Sequence, residues 1–190
     1  MSETLLCGID EAGRGPLAGP VCAAAVILPK GFPLSALDDS KKLSPSVREE
    51  LKDVICRGAR AWGIGWVSAA EIDEINILKA SLLAMERAFG AMCSQSPLPD
   101  TIRAVVDGIF VPGIPVPCEA LVKADSKVPE VMAASILAKT ARDRLMEYYG
   151  IFFPQYGYER HKGYPTKAHR EAVFRWGPSP IQRMSFACRP

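Results

Sequence analysis

The chain has 190 residues, 48% hydrophobic and 23% charged, with a net charge of +2. That suffices for one proper core and excludes a disordered polymer. No apolar run reaches the roughly 20 residues of a membrane-spanning helix, and the small net charge does not announce a polyanion partner.

Met1-Ser2-Glu3-Thr4 lacks the basic start and long apolar stretch of a secretory signal, so the expected address is the cytoplasm. A strand over 5–10 ends on Asp10, with Glu11 next, and a turn rich in glycine (Gly13, Gly15, Gly19) follows. A second strand over 21–28 is almost wholly apolar and is expected to be covered on both faces. Ser44-Pro45 reads as an N-cap followed by proline at the first helical position. Val47, Leu51, Val54 and Ile55 then give that helix one buried face. A third strand is predicted over 59–67, and Ser68-Ala69-Ala70-Glu71 fits a capping box. Ile77, Leu78, Leu82, Met85 and Phe89 carry the next helix. A fourth strand, 102–106, runs into Asp107, and after a proline-rich loop a short strand, 118–122, leads to Asp125. The longest helical pattern covers 129–149, a loop is expected over 150–165, and a last helix over about 166–176. This order predicts one α/β domain over 1–190, with a mixed five-stranded sheet flanked by helices and a helical C-terminal part.

Cys7, Cys22, Cys56, Cys93, Cys118 and Cys188 show no CxxC pair and no zinc-finger spacing, so buried free thiols are expected. From Arg160 onward, Lys162, Lys167, Arg170, Arg175, Arg183 and Arg189 face a single acid, Glu171. Such a stretch suits a polyanion or a merely solvated surface equally well.

The chemical signal lies in acids at strand ends: Asp10 with Glu11, Asp107 and Asp125. In an open α/β sheet, residues just past the strand ends line the crevice where ligands bind. Gathered carboxylates repel one another unless a cation joins them, and oxygen ligands favour magnesium or manganese over zinc. A pair of such ions can activate water and stabilise a leaving oxygen in phosphodiester hydrolysis. Each acid alone also suits a turn or a cap, as in Asp107-Gly108, and spacing does not choose between these readings.

Gly8-Ile9-Asp10-Glu11-Ala12-Gly13-Arg14-Gly15-Pro16-Leu17-Ala18-Gly19-Pro20 resembles the signature segment of ribonuclease HII. The resemblance continues through Asp38-Asp39-Ser40-Lys41-Lys42-Leu43-Ser44, Val106-Asp107-Gly108, Lys123-Ala124-Asp125, Ala133-Ala134-Ser135-Ile136-Leu137-Ala138-Lys139, Arg142-Asp143, His161-Lys162-Gly163-Tyr164-Pro165-Thr166 and Gly177-Pro178-Ser179-Pro180-Ile181. It implies an RNase H-like fold, with Asp10, Glu11, Asp107 and Asp125 as the catalytic set and the ligands of two Mn²⁺ or Mg²⁺ ions. It also implies cutting of the RNA strand in RNA–DNA hybrids, and incision 5′ to single ribonucleotides in duplex DNA. Products would carry 5′-phosphate and 3′-hydroxyl ends. Gly13, Arg14 and Gly15 would read the 2′-hydroxyl, and Tyr164 would stack on the following deoxyribose. Lys42, Ser135, Lys139, His161 and Lys162 would contact phosphates, within a substrate-binding segment of about 150–190 for the last two. Lys139 alternatively pairs with Asp143, four residues on. The resemblance implies a monomer without an evident protein partner or membrane contact. Ile109 stands where the family commonly has asparagine, and Gln182 and Met184 replace basic residues. Ribonuclease HIII has a different glycine turn; a non-cleaving hybrid-binding module would not need all four acids; a phosphate-loop nucleotidase would need a Gly-Lys-Ser/Thr ending that is missing.

Overall fold

The computed structural model describes residues 4–34, 37, 44–95 and 101–187. Strands β1 (Leu5–Ala12), β2 (Val21–Ile27), β3 (Ala61–Val67), β4 (Ile102–Asp107) and β5 (Cys118–Leu121) form one sheet in the order β3-β2-β1-β4-β5. β1 pairs antiparallel with β2, and β2 with β3, whereas β1–β4 and β4–β5 are parallel. The expected mixed sheet is therefore present. The helices among the described residues are α1 (Pro45–Gly58), α2 (Ala69–Ile75), α3 (Ile77–Gln95), α4 (Pro129–Phe152), α5 (Tyr158–His161) and α6 (Lys167–Trp176).

Every residue of β2 is buried, as its unbroken apolar run requires. Side chains alternate between faces. Cys22, Ala24 and Val26 pack among Leu51 and Ile55 of α1 and Ile136 and Leu137 of α4. Val21, Ala23, Ala25 and Ile27 pack with Ala84, Ala88 and Met92 of α3. Gly8 lets α4 rest directly on β1: a Cβ there would lie 2.1 Å from the carbonyl carbon of Glu130. That close approach sets α4 over the end of β1 that carries Asp10.

Local signals hold well. Ser44 accepts from the Val47 N–H at 3.3 Å, and Ser68 and Glu71 close the capping box. Asn76 ends α2 and begins α3, its Oδ1 accepting from Leu78 and Lys79. Two expectations about faces need correction. Val47 is exposed and Arg48 buried, because the long Arg48 stem covers apolar surface while its head reaches Asp143 on α4 at 3.5 Å. On α3 the small residues Ala80, Ala84 and Ala88 lie innermost, while Leu78 and Leu82 are only half-buried.

The expected loop over 150–165 is largely helical. α4 continues to Phe152, a 3-10 turn covers Pro154–Tyr156 and α5 follows. Tyr156 and Tyr158 stack with centroids 5.5 Å apart and join Ala18 and Met146 in a small apolar cluster, which gives this segment a core of its own. The described cysteines are all free; Cys7 and Cys22 are buried as expected, but Cys93 is exposed, and Cys188 lies outside the described residues. Among the described residues no helix is long and apolar enough to cross a membrane.

Candidate active site

β1 and β4 run parallel with Ile9 opposite Val106. The next residue on each strand is an aspartate, so Asp10 and Asp107 are neighbours where β4 ends. Asp10 is buried at 5% exposure, its Oδ1 accepting from the Glu11 N–H at 2.7 Å. Ser135, on the turn of α4 above it, hydrogen-bonds to the same carboxylate. Burial, then the charge on Glu11, and further the charge on Asp107 hold the Asp10 carboxyl well above its ordinary value, despite the hydrogen bonds from Ser135 and Glu11.

Glu11 is also raised, by burial first, although Arg14 Nη1 lies 3.3 Å from its Oε1 and opposes the shift. Its second oxygen, Oε2, is buried without a hydrogen-bond partner. Asp107 closes β4, and its Oδ1 accepts from the Ala124 N–H at 2.8 Å. Asp125 follows, buried with Ala124 on a 3-10 turn, Ala124–Ser126, entered through Lys123 in the left-handed region at φ +60°. The order of these elements thus brings Asp10, Glu11 and Asp107 to one end of the central strands, with the turn that carries Asp125 tied to Asp107.

Among the described residues, no three His, Cys, Asp or Glu side chains form a ready-made metal cage. Glu11 and Asp107 instead line an open cleft, with buried Asp10 between them on the strand ends. Their chemistry fits a hard cation that is shared with substrate: oxygen donors only, mutual repulsion, and one buried carboxylate oxygen left unpaired.

Two clefts meet at Glu11 and Arg14. The first, about 400 Å³, is lined by residues 11–15 together with Arg48, Ser135, Lys139 and Tyr164. The second, about 300 Å³, contains Asp107, Ile109, Phe110 and Lys123. Tyr164 stands in the first cleft with Lys139 Nζ 5.7 Å from its ring centroid, a cation–π arrangement. Lys139 does pair with Asp143, at 2.8 Å, and Arg48 shares that carboxylate, so two cations face one acid beside the cleft.

Gly13 and Gly15 are glycines for different reasons. Gly13 has φ +99°, and a Cβ there would lie 2.0 Å from Arg142 Nε. Gly15 has no such constraint; its nearest neighbour would be Tyr164 Cε1 at 3.7 Å. The fold demands the first and leaves the second to whatever enters the cleft.

His161 and Lys162 are engaged within the fold. His161 uses both ring nitrogens inside the fold, Nε2 with the Tyr156 carbonyl at 2.8 Å and Nδ1 accepting from the Gly163 N–H at 3.2 Å. Its ring stacks on buried His169, centroids 4.6 Å apart, and His169 Nδ1 meets the Tyr164 carbonyl at 3.0 Å. The pair therefore props the Tyr164 segment from beneath. Lys162 is held by Glu147 at 2.7 Å. Lys42 lies outside the described residues. Arg183, counted from sequence with a basic tail, is wholly buried. Sequence reasoning missed Arg48, Arg142 and Arg183 as buried contributors, because nothing in a local pattern separates a buried arginine from a solvated one.

The sheet order and the solved structures that share it assign the chain to the ribonuclease H-like class of nucleases. Residues 7–189 match the family model for ribonuclease HII, and the chain belongs to that family. It is 57% identical to a ribonuclease HII of Treponema denticola, over 96% of this chain and 98% of that one. The structure of an Archaeoglobus fulgidus RNase HII in complex with PCNA is similar at a TM-score of 0.77 and 30% identity, covering 98% of this chain and 96% of the other. Bst-RNase HIII in complex with Mn²⁺ shares the fold at a TM-score of 0.77 and 17% identity; 97% of this chain covers 68% of that one.

Proposed function

We propose that this site hydrolyses the RNA strand of RNA–DNA hybrids and also incises duplex DNA 5′ to a single embedded ribonucleotide, leaving 5′-phosphate and 3′-hydroxyl ends. The hybrid activity follows from membership of the ribonuclease HII family. The observation that carries the site assignment is the adjacency of Asp10 and Asp107 on parallel central strands, with the Glu11 charge acting on Asp10 and the Asp107 charge on both.

Asp10, Glu11, Asp107 and Asp125 are the catalytic carboxylates and the ligands of a pair of magnesium or manganese ions. Bound there, the ions supply the positive charge that activates water and stabilises the leaving oxygen. Magnesium keeps several waters and takes only one or two carboxylates with substrate phosphates, which suits the open arrangement seen here. The manganese complex of the fold neighbour Bst-RNase HIII agrees with this choice of ion.

Within the first cleft, Arg14 points a half-exposed guanidinium at the neighbouring phosphate and bare backbone at residues 13–15 meets the 2′-hydroxyl. Tyr164 offers its ring to the deoxyribose beyond. Ser135 orients Asp10, while Lys139, Lys42 and Arg48 contribute positive charge to the strand path. His161 and Lys162 act from below, by shaping the segment that carries Tyr164.

The test is incubation with a DNA duplex holding one ribonucleotide, in Mg²⁺, Mn²⁺ or chelator, with the cut mapped. One incision on the 5′ side of the ribonucleotide is expected with either ion and none with chelator. An intact duplex under every condition would overturn the reading.

A further inference from the structure

We infer that Arg183, from the segment after α6, is a positioning residue that aims the two backbone N–H groups of Arg14 and Gly15 into the substrate cleft. This rests on the reading of that cleft as the ribonucleotide-recognition site.

Arg183 is 0% exposed, and its acceptors are backbone carbonyls of the glycine turn. Nη2 donates to Gly13 O at 2.6 Å, Nη1 to Arg14 O at 3.0 Å and Pro16 O at 2.9 Å, and Nε to Gly19 O at 2.8 Å. A trans peptide is planar, so its N–H points opposite to its C=O. The chain contains no cis peptide bond among the described residues. Drawing the Gly13 carbonyl inward therefore turns the Arg14 N–H outward. Drawing in the Arg14 carbonyl does the same for the Gly15 N–H. Residues 13–15 line the first cleft whereas Arg183 is wholly buried and does not, so an N–H turned away from the guanidinium is turned toward the cleft. Neither N–H has a hydrogen-bond acceptor among the described residues. Two adjacent free donors on a fixed turn match an acceptor oxygen on a phosphate or ribose.

The anchoring is built around this arginine. Gly19 N–H donates to Ile181 O and Arg183 N–H to Leu17 O, so residues 17–19 and 181–183 pair. Asp73 of α2 pins the next residues, accepting from Met184 N at 2.8 Å and Ser185 N at 2.9 Å. Arg142 holds the far side of the turn through Pro20 O and Ala18 O at 2.9 and 3.2 Å. Burial, then the charge of Arg142, pulls Arg183 down to about 9, which still leaves it charged at neutral pH. Lysine cannot replace it: a compact ammonium has three donors and lacks the planar fork that spans these carbonyls.

The experiment is Arg183→Lys, compared with wild type and with Val26→Ala, a remote core change chosen to match the loss of melting temperature. The ¹H–¹⁵N amide signals of Arg14 and Gly15 are recorded in the free protein, and kcat and KM on the single-ribonucleotide duplex are measured with Mg²⁺. Both amide signals should move in Arg183→Lys, and kcat should fall roughly tenfold or more with a smaller change in KM. Val26→Ala should leave the signals and kcat near wild type. Should Arg183→Lys not fold, Asp73→Ala loosens the same segment from outside and should move the same signals by less. Unmoved signals, or an equal loss of kcat in Val26→Ala, would overturn the positioning role. A wild-type protein that leaves the duplex intact would sink the functional reading instead, and the amide signals would still judge the clamp.

Discussion

Asp107 Oδ1 accepts from the Ala124 N–H at 2.8 Å, and this one bond ties the end of β4 to the turn that carries Asp125. The acid is therefore both a catalytic candidate and a structural tie. Asp107→Asn keeps a carbonyl oxygen for Ala124, whereas Asp107→Ala leaves that N–H unpaired. Both should abolish hydrolysis. Only the alanine variant should lose about 1 kcal/mol through this bond, seen as a lower melting temperature in chelator. Equal melting of the two variants would show that the bond does not hold the turn.

The raised Asp10 carboxyl has a consequence for the metal-free protein. A folded-state value above the unfolded one favours folding while the group is protonated; that contribution is lost as pH rises through the raised value. At neutral pH without metal, burial and the neighbouring Glu11 and Asp107 charges thus work against stability. Asp10→Asn removes that load. It should melt above wild type in chelator, gain less from added Mg²⁺, keep most of its hybrid binding and show no turnover. Wild type and variant melting together in chelator at pH 7 would contradict this.

Gly13 and Gly15 should respond differently to the same methyl group. Gly13→Ala meets a positive φ and the Arg142 side chain, so a destabilisation on the order of 1–3 kcal/mol is expected. Gly15→Ala has room within the fold and should melt like wild type, yet its methyl stands in the cleft beside Tyr164. Cutting at an embedded ribonucleotide should fall roughly tenfold or more in Gly15→Ala, and likewise in Tyr164→Ala. Normal junction cleavage by both stable variants would make this corner merely structural.

The stacked histidines predict a pH dependence of stability. Burial lowers both His161 and His169, and the His161 charge adds to the lowering of His169. The unfolded chain then binds more protons than the folded one below the ordinary histidine value of about 6.5, so stability falls as pH drops through that region. Neutral rings also suit the hydrogen bonds: Nδ1 of His161 accepts, and Nδ1 of His169 donates to Tyr164 O. Melting from pH 7.5 to 5 should show a steeper loss in wild type than in His169→Gln. Parallel curves would remove the histidine pair as the cause.

Much of this arrangement was legible in local patterns. The Ser44-Pro45 start, the Ser68–Glu71 capping box and the buried β2 depend on neighbours within a few residues, where propensity and hydrogen-bonding geometry decide. The segment 150–165 reads as a loop in sequence because its helical turns depend on tyrosines packing against Ala18 and Met146, which lie outside it. Lys162 and His161 look like exposed basic residues in sequence, but Glu147 and the Tyr156 carbonyl engage them in the fold.

The order of residues alone determined the strand–helix sequence up to residue 149, the acids at strand ends and the glycine-rich turn, since each is a property of short stretches. Which acids become neighbours was decided by the pairing of β1 with β4, whose register sets residues 10 and 107 side by side across 97 positions of chain. Tertiary structure likewise decided that Arg183 is an internal support and not a surface charge. Burying a guanidinium is costly without acceptors, and only the folded turn presents four carbonyls in one place.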